Sequence, residues 1–199
     1  MSARVSKNIR LSQWWLVVFA TFSVALHPGF VLKWDEGGFS NYGIHIRTTI
    51  PYSLALLGSA YFAFRAAGQL INLRSSARHF SLIVATYGVL MILTLVSTYG
   101  YTRNADLKNF HTAVDIVTMV FEPVASVWMY RRLRTTPWTR TLLTLELLGL
   151  ATGTIDYFAL LHVLFIAQVL TAFAFGALFI RSASRLDEVR SRAWSVSST

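Results

Sequence analysis

HTAVDIVTMVFEPVASVWMY, residues 111–130, is apolar enough to cross a membrane and yet carries two carboxylates and a histidine. On a helix at about 100° per residue, His111, Asp115, Thr118, Glu122 and Ser126 fall within roughly 80° of one another. Every other position is aliphatic, aromatic or Met, apart from Thr112 and Pro123. A charged side chain at the centre of a bilayer costs about 2.5 kcal/mol or more, so this stripe has to face protein or water. The remaining helices are therefore expected to surround it.

Working outward, the rest of the chain supplies those helices. Of the 199 residues, 54% are hydrophobic and 14% charged, against about a quarter charged in an ordinary soluble domain. The apolar residues come in long runs, which reads as an all-α polytopic membrane bundle with six transmembrane helices. The spans are expected at about 11–32, 49–66, 80–100, 111–130, 140–155 and 157–180, within a transmembrane domain of residues 1–182. The 40 residues from 141 to 180 are too long for one span, and the small-residue and acidic break ATGTID, 151–156, divides them. The polar tail, 183–199, reads as a short surface helix followed by disorder. Arg4, Lys7 and Arg10 before the first run, with Ser23-Val24-Ala25 inside it, also suit a signal peptide. The run continues through Phe30, Val31 and Leu32, which favours an uncleaved span. In the second span Ala55, Gly58, Ala60 and Ala63 suit close helix approach. Gly149 and Gly153 form a G-x-x-x-G face for contact within the chain or with a second copy or a membrane partner.

The net charge of +9 would point to nucleic acid in a soluble protein, but these cations cluster at span ends. With six spans, 14 Lys and Arg fall on the side of the termini and 4 on the other, which places both termini in the cytoplasm. Membrane lipids, not nucleic acid, are the expected partners. The chain has no Cys and hence no thiolate metal site or cysteine nucleophile. It has no N-x-S/T sequon either, which fits a bacterial inner membrane. Trp14, Trp15, Trp34, Tyr42, Tyr99, Tyr101, Trp128, Tyr130 and Trp138 lie near predicted interfaces and read as anchoring aromatics.

Sorted by depth, His27, His111, Asp115, Asp156 and His162 share the outer leaflet, Glu122 lies near mid-depth and Glu146 in the inner half. His27, His111, Asp115, Glu122 and His162 form a candidate polar pocket, suited to relaying protons or holding a polar headgroup. The structural alternative is that each His donates to a neighbouring carbonyl and that His111 pairs with Asp115 at i, i+4. No H-E-x-x-H or H-x-x-E-H spacing supports a metal, so no metal site is assigned. Glu122 precedes Pro123, whose missing N–H frees the carbonyl of Met119, so Glu122 can glue helices or bind a proton or ligand. Glu146 is expected to pair with Arg140 or an Arg of the 131–134 run. No cofactor is expected. His27 with His162 would meet the geometric need of haem for two His at matching depth on different spans, and Lys7, Lys33 and Lys108 all lie outside the spans, where no retinal Schiff base forms. Neither a G-x-S-x-G elbow nor a Walker-type phosphate loop occurs.

The first outer loop reads GGFSNYGIHIRT, residues 37–48, and a His opens the fourth span. With Ser40-Asn41-Tyr42-Gly43 and His111, this arrangement resembles the DRAM/Sfk-type six-helix membrane proteins and their bacterial relatives. The resemblance implies a non-enzymatic membrane protein tied to lipid organisation or trafficking. The first functional reading is a protein that binds or organises a lipid or other amphiphile. Its pocket opens outward, with Asn41 and Tyr42 in a lid-like loop. The second is a proton-coupled small-molecule carrier or intramembrane enzyme using His111, Asp115 and Glu122. The third is a membrane subunit whose polar stripe pairs with another protein.

Overall fold

The computed structural model describes residues 3–29, 38–71, 75–100, 105–132, 136–159 and 164–197. Among these the chain is all helical: α1 (Ala3–Leu26), a 3-10 turn (Gly38–Ser40) leading into the short α2 (Asn41–Ile44), α3 (Thr49–Leu70), α4 (Ser75–Gly100), α5 (Ala105–Arg132), α6 (Pro137–Ala159) and α7 (Leu164–Ser197). Four helical segments are long and apolar enough to cross a membrane: Val5–Leu26, Ala77–Tyr99, Ala105–Arg132 and Leu164–Leu186. The chain is thus a candidate multipass membrane protein. α3 and α6 have comparable lengths of 22 and 23 residues. Their apolar runs are interrupted by Arg65 and Gln69 in α3, and by Glu146 and a series of threonines in α6.

Side-chain contacts fix the packing as antiparallel neighbours. Asn8 bonds Gln69 and Ser12 bonds Ser59, so α1 and α3 run in opposite directions. Ser81 to the Ala67 carbonyl, Tyr87 to Ser59 and Tyr52 to Thr98 set the same relation between α3 and α4. Ser97–His111 and the stacked Phe80–Trp128 pair do so for α4 and α5. Arg10 donates to Ser184, which brings the start of α1 and the later part of α7 to one end of the bundle.

The core is built from small residues and aromatics. Ala55, Ala60, Ala63 and Ala66 of α3 are buried, and the Cβ that Gly58 lacks would overlap the Trp15 indole of α1. Trp15, expected as an interfacial anchor, is instead half-buried against this face. Tyr87, Phe175 and Phe179 meet at centroid distances of 5.2 to 5.5 Å, joining α4 to α7. Outward-facing positions are large and apolar, including Val17, Phe22, Leu82, Val96, Val124 and Phe173. In water such a surface is unfavourable, whereas in lipid it is matched to its solvent, leaving packing and polar contacts to hold helices together.

Several helix limits differ from those expected of the spans. α1 covers residues 3–26 and not 11–32, because Val5 and Ile9 are buried and draw the polar start into the bundle. It stops before His27-Pro28, since a residue preceding proline is driven out of the α region. The ATGTID stretch is helical, α6 continuing to Ala159, so the division of the 40-residue run comes later than 151–156. Gly149 and Gly153 explain this: a Cβ on Gly149 would lie 2.7 Å from Thr171 Cγ2, and one on Gly153 3.5 Å from Ala167 Cβ. Those small residues serve close α6–α7 packing within the chain and not a turn. α7 runs without a break into the polar tail, to Ser197.

The expected lid-like loop is a seated cap. Asn41 and Tyr42 are buried, and the Tyr42 ring packs between Phe39 and Phe165. Burial pushes the Tyr42 phenol above its ordinary range. Gly38 has φ 51°, and a Cβ there would lie 2.5 Å from Gln168 Oε1, the atom that accepts the Phe39 N–H at 2.7 Å. Gly38→Ala therefore combines a left-handed backbone, costing about 1–2 kcal/mol, with displacement of the Gln168 latch. It is expected to lower the thermal midpoint of purified protein, and an unchanged midpoint contradicts the latch.

Candidate functional site

The polar stripe of α5 faces into the bundle. His111 is 3% exposed and Ser126 fully buried, while Val117, Val120 and Val124 on the opposite side are more than half exposed. Pro123 sits within the continuous helix, buried beside Glu122. Along the stripe the neighbours change with depth, giving two polar clusters.

At the cluster nearer the start of α5, His111 Nε2 lies 3.3 Å from Asp115 Oδ2, the i, i+4 pair expected of the stripe. Its Nδ1 lies 2.8 Å from Ser97 Oγ of α4, which also reaches the Thr94 carbonyl at 3.1 Å. Two proton arrangements satisfy this chain. In one, a neutral imidazole donates from Nε2 to Asp115 and accepts the Ser97 hydroxyl proton at Nδ1. In the other, an imidazolium donates from both nitrogens and Ser97 turns its proton to Thr94. They differ by one proton, and both contacts of the imidazole persist in either, only the Ser97–Thr94 bond being absent when the ring is neutral. Asp115 is 40% exposed and is the most open member of the cluster. Nearby, Tyr52 donates to Thr98, which donates to the Thr94 carbonyl, and Tyr52 lies within electrostatic range of Asp115. Ser97→Ala strips His111 Nδ1 of this partner and is expected to destabilise by about 1–3 kcal/mol in thermal denaturation; no change would remove Ser97 from the cluster.

The deeper cluster lies near the middle of the bundle, and α1, α3, α4, α5 and α6 contribute side chains to it. Gln13 of α1 donates to the Tyr87 hydroxyl of α4 at 3.2 Å. Tyr87 and Ser59 of α3 are 3.0 Å apart, Ser59 and Ser12 of α1 2.9 Å, and Ser12 ends the chain on the Ser59 carbonyl at 2.8 Å. Because Ser12 gives its proton to that carbonyl, the direction is fixed: Gln13 to Tyr87 to Ser59 to Ser12. Glu122 of α5, half-buried, lies within electrostatic range of Tyr87 and of Glu146 of α6. Glu146 is fully buried, and neither of its oxygens has a hydrogen-bond partner among the described residues. The Phe175 backbone of α7 approaches it without reaching hydrogen-bond geometry. Of the arginines expected to pair with Glu146, Arg131, Arg132 and Arg140 are all exposed and do not reach it, Arg132 lying over the Trp128 ring, and Arg134 lies outside the described residues.

The other candidates are placed elsewhere. His27 ends α1 half-buried, with its ring edge-on to His45 at a centroid distance of 4.4 Å. His162 lies outside the described residues, as do Trp34 and Tyr101. Asn41 and Tyr42 belong to the cap. Among the described residues no group of three or more His, Cys, Asp or Glu comes together to hold a metal. Sequence reasoning passed over Gln13, Ser12, Ser59 and Tyr87. Their signal was present as uncharged polar side chains inside apolar runs, but the same residue types are common on such helices. Comparison of the chain with protein-family models, with curated proteins and with solved structures finds no match to any of them.

Proposed function

We propose that this is a six-pass plasma-membrane protein, with both termini cytoplasmic, that couples proton binding to the movement of a small molecule. Asp115 and His111 form its outer proton port, and Glu122 with Glu146 its inner one. The observation that carries this reading is Glu146: a fully buried carboxyl with no hydrogen bond among the described residues, within range of a second carboxyl. Removing a carboxyl from water without a partner costs several kcal/mol, and a bundle built only for stability has no use for one. Ionisable groups inside a membrane bundle mark ion and proton paths. Asp115 and Glu122 are two helical turns apart on one face, roughly 10 Å, so the ports lie in line.

The amphiphile-binding reading, which the resemblance to lipid-organising proteins implies, draws on the 40% exposure of Asp115, an acceptor open to a polar headgroup. Proteoliposomes with a trapped pH dye separate the two. A proton-coupled carrier moves protons when offered one of a panel of amines, carboxylates, sugars or amphiphiles, and Glu122→Gln stops that movement. Binding of an amphiphile with no proton movement for any class supports the second reading and removes the first.

A further inference from the structure

At the end of the bundle where α1 begins, Ser6, Lys7, Arg10, Leu11 and Trp14 line an open groove of about 360 Å³. Their spacing puts all five on one side of α1, and none is acidic. Lys7 is exposed and makes no hydrogen bond or ion pair with any described residue. Arg10 donates to Ser184 through one guanidinium nitrogen at 3.2 Å and also lines the groove. Trp14, one turn further along, is 64% exposed, an apolar ring with a polar edge of the kind that settles at the headgroup level. Leu11 and the exposed Val17 and Val18 continue the face as hydrocarbon contact.

We propose that this groove binds the headgroup of an anionic phospholipid. The phosphate sits between Lys7 and Arg10, the glycerol lies against Trp14, and one acyl chain runs along Val17 and Val18. Charge complementarity selects the headgroup, and the order of the cations, the Trp14 indole and the aliphatic Val17 and Val18 along α1 follows the order of phosphate, glycerol and acyl chain in a lipid. A soluble anion would use the two cations and leave Trp14 and the aliphatic strip unexplained. The site is separate from the carboxyl core and stands whether or not that core carries protons.

Native mass spectrometry of the full chain, extracted from bilayers of phosphatidylcholine and phosphatidylglycerol, tests this. Phosphatidylglycerol is expected to be retained in preference to phosphatidylcholine. Each basic group near a membrane surface is worth about fivefold in affinity, so Lys7→Gln and Arg10→Gln together are expected to weaken retention by about thirtyfold. The charge-preserving Lys7→Arg with Arg10→Lys keeps it, and Lys108→Gln, on a different helix, leaves it unchanged. Equal retention of the two lipids overturns the proposal. So does undiminished retention by the double glutamine variant, or displacement of the lipid by millimolar inorganic phosphate, which identifies a soluble anion as the occupant.

Discussion

Glu146→Gln is expected to leave the yield and thermal midpoint of the purified protein unchanged or slightly raised, and to remove proton-coupled movement. The two outcomes follow from one fact. The carboxyl is fully buried and makes no hydrogen bond with the described residues, so an amide of the same shape takes no bond from the fold. It does remove the group that exchanges a proton with its surroundings. Glu122→Gln is expected to act in the same direction, because the two carboxyls lie within electrostatic range and the proposed path passes through both. Deleting a group that transfers a proton usually costs about two orders of magnitude or more in rate, so dye-loaded proteoliposomes should report near-complete loss for either variant. A structural role for these residues makes the opposite demand: lowered stability with movement retained. Finding that pattern in both variants removes the carboxyl pair from the mechanism.

Gly58→Val is expected to separate α1 from α3. Even the single Cβ of alanine would lie 1.8 Å from Trp15 Nε1, and Trp15 is held by its bond to the Leu54 carbonyl. The indole has to leave this position, breaking that bond and its ring contacts with Phe19 and Phe62. Overpacking of this sort costs about 1–3 kcal/mol. Loss of Ser12–Ser59 alignment should follow, because those residues sit on the same two helices within one turn of the clash. The test is a pair of variants: Gly58→Val alone lowers the thermal midpoint, and Trp15→Leu added to it restores part of the loss. Additive destabilisation contradicts the contact.

The bundle itself is legible in the sequence, since apolar runs of this length and a low charged fraction leave few alternatives to membrane helices. The stripe of α5 is legible too, because 3.6-residue periodicity within one helix needs no knowledge of its neighbours. What was hidden depends on register between helices. Nothing local to Tyr87 announces that its hydroxyl meets Ser59 and Gln13, residues 28 and 74 positions away in sequence. Glu146 was assigned to arginine because charge complementarity along the chain is visible and burial against α7 is not. The misplaced break at ATGTID has a similar origin. In water such residues favour turns, but here Gly149 and Gly153 provide the close approach that Thr171 and Ala167 require. The limit of α1 was readable at His27-Pro28, where the backbone rule outweighs the apolar residues that follow.

The orientation of α5 in a bilayer tests the central claim most directly. The chain has no cysteine, so single substitutions such as Glu122→Cys, Ser126→Cys, Val120→Cys and Val124→Cys can each carry a nitroxide label without further engineering. Collision of the label with molecular oxygen, which concentrates in the hydrocarbon, reports which face meets lipid. Low collision rates at 122 and 126 with high rates at 120 and 124 are the expected result. High rates at 122 and 126, equal to those at 124, would place the carboxyl stripe against acyl chains and contradict the account.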